Sequence, residues 1–283
     1  MAWASLVVLA GPAVADALDT WSPNPRTLAS LLLWAGWAAI LLTTLVPRPA
    51  GLTVLRAGAP LATVLAVAAA FSAGAGPAVA AVASTALVCA LAFHPSVGSR
   101  FVNGPAYGNE RRFPLRVPPA LLLGPLPLAV VLLGAGATAG PLLLADGRAV
   151  PGALALLAGG PLVFALGRSL YALSQRWVVL VPAGLVLKDP LTLVDPVLFP
   201  KDRIASLRPL PYPSAPAEDI LDLRLGAVPG SVLLELTDDA MIFRTRGRMR
   251  GGEMVQVRRL AFSPSRAEAL LQEALRRKTA AAG

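Results

Sequence analysis

Five stretches of this chain, 27–46, 53–72, 77–94, 118–139 and 150–172, are apolar and almost bare of charge. Each is close to the roughly 20 residues that a helix needs to cross the hydrocarbon of a bilayer. Nothing else in the sequence narrows the fold as much. Charged residues are only 14% of the 283, and mean hydropathy is +0.65. A soluble globule of this make-up would lack polar surface, so the chain reads as an integral membrane protein. A further apolar run, 2–15, lacks the basic start of a signal peptide and reads as a short first span. The expectation is therefore a helical membrane bundle of five or six spans.

Charge divides the chain in two. Residues 1–175 hold 9 Lys and Arg against 4 Asp and Glu, whereas the shorter stretch from Arg176 onward holds 16 against 12. The predicted domains are a transmembrane region, 1–175, and an extramembrane domain, 176–283. Placing loops 47–56 and 95–117 inside gives the cytoplasm Arg48, Arg56, Arg100, Arg111, Arg112 and Arg116. The opposite loops, 16–26, 73–76 and 140–149, hold only Arg26 and Arg148. Cytoplasmic loops of membrane proteins carry the excess of Lys and Arg. The expected location is the inner cell membrane, multi-pass, with the C-terminal domain in the cytoplasm. The net charge of +9 needs no nucleic acid to explain it. Only three of the 25 basic residues are lysines, a bias expected of a GC-rich coding sequence.

The spans offer little chemistry. Transport and proton relay call for ionisable groups at mid-membrane depth. Here Arg56 and Arg168 fall near span ends, where long side chains snorkel to the interface. Prolines 60, 125, 127 and 161 are candidate kinks, and "GATAG", 136–140, fits the small-xxx-small pattern of close helix contact. His94 is the single histidine and Cys89 the single cysteine. No disulfide, Cys-based metal site or Ser-His-Asp set follows from them. No Walker loop or HExxH occurs. The reading is no enzyme, no cofactor and no metal.

From Arg176 the pattern becomes β-rich. "RWVVLVPAGLVLKDP" reads as a hairpin with its turn at 182–184. "PVLF", "RIASLRPL", "ILDLRLG" and "SVLLELTDD" follow as strands, the last ending in an acidic turn at Asp238 and Asp239. "PYPSAPAED" reads as an irregular loop, and "MIFRTR" and "MVQVRRLAF" flank "GRMRGGE" as a further hairpin. Seven or eight short strands predict a small antiparallel sandwich or barrel. "SPSRAEALLQEALRRK" closes the chain as an amphipathic helix. Ser263 is its expected cap, with Pro264 at the first position, or Ser265 and Glu268 as a capping box. Leu270, Leu271, Ala274 and Leu275 form its apolar stripe, and Arg276, Arg277 and Lys278 suit the negative end of its dipole.

Strands closed by one helix resemble the bacterial pleckstrin-homology-like (PH-like) domains fused to membrane spans. The resemblance covers about 176–278. It rests on the opening hairpin "RWVVLVPAGLVLKD", on "LFPKDRIASLRP" with Ile204 packing inward, and on the closing helix. It implies a fold and a part in membrane association and assembly. The "LTLVDPV" insertion and the proline-rich loop depart from a compact version.

Arg244, Arg246, Arg248 and Arg250 alternate in an otherwise charge-poor chain. They are the candidate lipid- or partner-binding residues, since each juxtamembrane basic residue is worth about 1 kcal/mol against an anionic leaflet. The bland alternative is a self-neutralised hairpin face: window 235–259 sets six basic residues against Glu235, Asp238, Asp239 and Glu253. No aromatic residues alternate with the arginines as stacking on nucleic acid prefers, so no nucleic-acid partner is expected. The expected function is a membrane scaffold or interaction protein that contacts membrane lipids or a protein partner. A homo-oligomer stays open, and the alternative function is a component of a membrane transport system. Buried polar groups facing a common cavity would favour transport, and an exposed apolar patch on the tail would favour a scaffold.

Overall fold

The computed structural model describes residues 2–211, 219–245 and 251–279 and divides into two compact units. The first takes in the chain up to Phe101 together with Gly124–Tyr171. The second takes in Val102–Leu123 and the chain from Ala172 on.

The helical unit begins with α1 (Leu6–Leu9) and α2 (Gly11–Leu18). It continues with α3 (Pro23–Leu45), α4 (Pro49–Ala70) and α5 (Ala75–Phe93). After α6 (Pro95–Asn103), β1 (Arg111–Pro114) and α7 (Pro119–Leu122) come α8 (Pro125–Ala145) and α9 (Ala149–Ser174). Helices α3, α4, α5, α8 and α9 have 19 to 26 residues and mean hydropathy between 1.7 and 2.0. At 1.5 Å per residue even the shortest approaches the roughly 30 Å hydrocarbon layer. Among the described residues, five helices are thus long and apolar enough to cross a membrane.

The run 2–15 is not a sixth. It is broken into α1 and α2, and the eight residues of α2 reach only about 12 Å. The Trp3 indole donates to the Trp37 carbonyl at 2.9 Å, and Trp37 returns the bond to Trp3 at 3.2 Å. Ala10 and Ala13 pack on Ala66, Ala69 and Ala81. The segment folds back onto the longer helices.

The fourth span starts later than its hydropathy suggests. Pro125 opens α8 and Pro127 falls in its first turn, where a missing N–H costs nothing, so neither kinks the span. Pro60, Pro141 and Pro161 do lie inside helices. Only residues 146–148 separate α8 from α9, with Gly147 at φ +81°. The GATAG glycines lie in the contact between these two helices, as does Gly152 against Leu144. A Cβ on Gly159 would lie 2.5 Å from the Gly136 carbonyl oxygen, and one on Gly140 2.6 Å from Leu156 Cγ.

The second unit holds two four-stranded sheets. One has the order β1-β2-β3-β4, all antiparallel, with β2 (Trp177–Val181), β3 (Gly184–Lys188) and β4 (Val197–Pro200). The other has the order β5-β7-β8-β6, with β5 (Ile204–Pro209), β6 (Ile220–Asp222), β7 (Val232–Thr245) and β8 (Gly252–Phe262). Strand β6 runs parallel to β8, and the other pairs are antiparallel. Inward residues of both sheets, among them Phe113, Val178, Leu185, Ile204, Val232, Leu260 and Phe262, form one core with Leu270 and Ala274 of α10 (Ala267–Arg276). Ile204 packs inward as expected. The first hairpin turns at Pro182–Ala183, and a Cβ on Gly184 would overlap the Phe199 carbonyl oxygen of β4.

Strand β1 comes from the connection between α5 and α8, not from the tail. It pairs with β2 from Arg111↔Leu180 to Pro114↔Trp177. Its outer edge is closed by Asn103, whose amide donates to the Arg112 carbonyl at 2.7 Å and accepts from the Arg112 N–H at 2.8 Å. An unpaired strand edge is thereby blunted. The pairing sets this connection and the tail on the same side of any bilayer that α8 and α9 span.

Two local expectations are corrected. Asp238 and Asp239 do not end a strand: β7 runs on through them. Its register against β8 shifts between Glu235↔Arg259 and Ala240↔Val257, so residues 236–239 oppose Arg258 alone. Such a bulge bends a strand without ending it. Ser263 does not cap the last helix. It is buried, bonding the Ser231 hydroxyl at 3.1 Å and the Ala227 carbonyl. The Ser265 N–H donates to the Pro114 carbonyl at 2.8 Å, and α10 begins only at Ala267 with no side-chain cap. Residues 263–265 are used to bind the β1 segment. The proline-rich loop lies largely at 212–218, outside the described residues.

Candidate functional site

Of the four candidate arginines, Arg244 is described, and Arg246, Arg248 and Arg250 lie outside the described residues. Arg244 sits one position from the end of β7, directly across from Glu253, with a 2.9 Å ion pair and both side chains partly exposed. At this position the charge is neutralised within the hairpin.

The same strand end exposes apolar side chains. Side chains alternate along a strand. Ile242 is buried in the core, so Met241 and Phe243 face outward. Met254 lies opposite Phe243 across the hairpin and is 62% exposed. The "LTLVDPV" segment runs beside them. The Val194 N–H donates to the Phe243 carbonyl at 3.0 Å, the Thr245 N–H donates to the Thr192 carbonyl at 2.9 Å, and the Thr245 hydroxyl reaches Leu191 at 2.9 Å. A Cβ on Gly252 would press on Val194 Cγ2 and the Phe243 ring. This segment therefore widens the sheet at the hairpin end and adds Val194 to an exposed patch with Met241, Phe243 and Met254. The signal for this patch was the period-two order of "MIFRT", masked by the arginines around it.

At the other end of the first sheet lies a buried ion pair. Arg176 donates from Nε and Nη2 to the two Asp189 oxygens, both at 2.7 Å, and its Nη1 donates to the Arg116 carbonyl at 2.9 Å. Asp189 also accepts the Leu191 N–H at 3.1 Å. Nearby, the Lys188 ammonium lies 4.7 Å from the centre of the Trp177 ring, and the Arg112 guanidinium 5.8 Å from it. Burial, and then the Arg112 charge, hold the Lys188 amine below its usual range. In the second sheet, burial alone would push the Asp222 carboxyl up. The hydrogen bonds and charge of Arg224 outweigh that and hold it below its ordinary value. These groups are paired and build the fold.

Comparison with family models, curated proteins and solved structures finds no match to this chain.

The helical unit is poor in chemistry. Among its described residues, Thr85 is the one buried polar side chain, and its hydroxyl donates to the Ala81 carbonyl at 2.7 Å. Arg56 donates to the Ala92 carbonyl at 3.3 Å and stacks on Phe93. His94 is exposed at the end of α5, its Nδ1 2.7 Å from the Ser96 hydroxyl. Among the described residues no three His, Cys, Asp or Glu side chains gather as metal ligands would.

Proposed function

We propose that this chain is a membrane-anchored scaffold whose extramembrane unit is a cytoplasmic interaction module of PH-like type. The exposed patch of Val194, Met241, Phe243 and Met254 carries the reading. Apolar side chains at the rim of a tethered domain, flanked in sequence by Arg246, Arg248 and Arg250, suit an anionic leaflet: the chains enter the interface and the guanidiniums meet the headgroups. Three arginines would add up to about 3 kcal/mol. Two sheets around one core, with a single C-terminal helix, support the PH-like resemblance. The helical unit gives the transport alternative no comparable support.

The orientation rests on the loop arginines. A reporter active only in the periplasm, fused after Ala281, is expected to be silent. An active fusion would put the tail outside and remove the anionic-leaflet reading with it.

The patch is tested in the full chain. A fluorophore placed by Met254→Cys, in a Cys89→Ala background, is expected to be quenched by spin-labelled lipid in nanodiscs containing anionic lipid. Quenching should weaken as salt rises and the Debye length shortens to about 8 Å. Replacing Arg246, Arg248 and Arg250 with Gln should abolish it. No quenching in any lipid would assign the patch to a protein partner instead.

A further inference from the structure

A second surface of the same unit is built differently. A groove of about 630 Å³ runs between β1 and α10, lined by Arg111, Arg266, Gln272, Glu273, Leu275 and Arg276. Arg111 shares the inward parity of Phe113 and so reaches the rim of the sandwich that α10 covers. Residues 269, 272, 273 and 276 follow one another at helical spacing along one face of α10. Arg266 stands at its start.

The charges in this groove do not balance. Glu273 is its one acidic residue, and it is already shared: it holds Arg276, and it accepts from Arg277 Nε at 2.7 Å. Arg277 also donates to the Leu180 carbonyl at 3.0 Å. Arg111 and Arg266 have no acidic partner among the described residues. The two guanidiniums thus line one open groove, where their charges act together on an arriving anion.

We propose that this groove binds a diphosphate group. Guanidinium forks pair bidentately with phosphoryl oxygens. Two linked phosphoryl groups match the two guanidiniums, giving Arg111 and Arg266 one bidentate partner each, whereas a single phosphate must share its oxygens between them. Leu275, 52% exposed, offers an apolar wall for the rest of the ligand. The diphosphate could be soluble or lipid-linked, since both present the same oxygens. Arg111 belongs to the strand supplied by the α5–α8 connection and Arg266 to the tail. A bound diphosphate would clamp the two segments together.

The test uses the full chain in neutral-lipid nanodiscs. Inorganic pyrophosphate is titrated by calorimetry against orthophosphate at matched ionic strength, and geranylgeranyl diphosphate in the nanodisc serves as the lipid arm. Pyrophosphate is expected to saturate and to bind at least about tenfold tighter than orthophosphate, as one further charge-assisted contact implies. Arg111→Gln and Arg266→Gln should each weaken binding about tenfold or more on the same grounds. Arg203→Gln, exposed and outside the groove, should change nothing. Hydrogen exchange at residues 111–114 should slow with ligand, a readout that surface charge alone would not move. Binding of the lipid diphosphate alone, lost in the same two variants, supports the site and assigns its source. Absence of saturable binding in both arms, or equal loss in Arg203→Gln, overturns the proposal.

Discussion

Residues 176–283, expressed without residues 102–123, are expected to be largely unfolded or aggregated. The missing segment supplies strand β1 and two core side chains, Phe113 and Leu115. It also supplies main-chain partners: Leu115 N–H to the Arg176 carbonyl at 3.0 Å, Arg116 N–H to Ser263 at 2.8 Å, and Pro114 C=O to Ser265 at 2.8 Å. Two buried side chains at about 1.5–3 kcal/mol each, plus several hydrogen bonds at about 1 kcal/mol each, sum to roughly 6–10 kcal/mol. A domain of this size has about 5–15 kcal/mol in all. The truncated tail would also present the bare edge of β2, an invitation to pair with other chains. Joining residues 102–118 to Arg176 through a flexible linker should restore a monomer with dispersed amide resonances. A well-folded 176–283 fragment would show that β1 is dispensable.

Asp189→Asn is expected to destabilise the second unit by about 3–5 kcal/mol, the usual result of stranding one partner of a buried ion pair. Arg176 would keep its charge, 2% exposed, with one carbonyl left to receive it. In thermal unfolding of the full chain followed by a probe in the sheets, a loss of this size corresponds to a drop of about 10 °C or more. The double variant Arg176→Met/Asp189→Leu should recover most of it, because apolar residues of similar volume avoid the desolvation that the pair costs. If the double variant is no better than Asp189→Asn, the pair contributes more than mutual neutralisation.

The parts legible in the sequence are those set by local composition. Long runs without charge gave the five long helices, with ends mostly within a few residues. Alternation around Pro182–Ala183 gave the first hairpin. Contacts made far along the chain were not legible. "ERRFPLRV" has two prolines' worth of interruption nearby and four charges, so it reads as a basic loop. Only the waiting edge of β2 and the Asn103 side chain make it a strand. Asp238 and Asp239 carry turn chemistry, but pairing with β8 on both sides overrides it. Ser263 has the chemistry of a cap and spends it on Ser231 and Ala227, which sequence distance hides. The arginine run was visible at once. The outward apolar residues on either side of it, Met241, Phe243 and Met254, are set by Ile242 pointing inward.

The position of β1 also fixes an order of events during synthesis. Between Pro114 and Trp177 lie 62 residues, all of α8 and α9 among them. At roughly 5–20 residues per second, strand β1 leaves the ribosome about 3–12 s before the strand it needs. Over that interval its main-chain groups must be kept by Asn103 and by water, while the next two apolar helices enter the bilayer. The first sheet can close only after both have been threaded and the chain has returned to the side where β1 waits. Completion of that sheet thus reports that the last two helices have been delivered in the right number. A chain that missed one would carry its tail to the opposite side, where β2 could never meet β1.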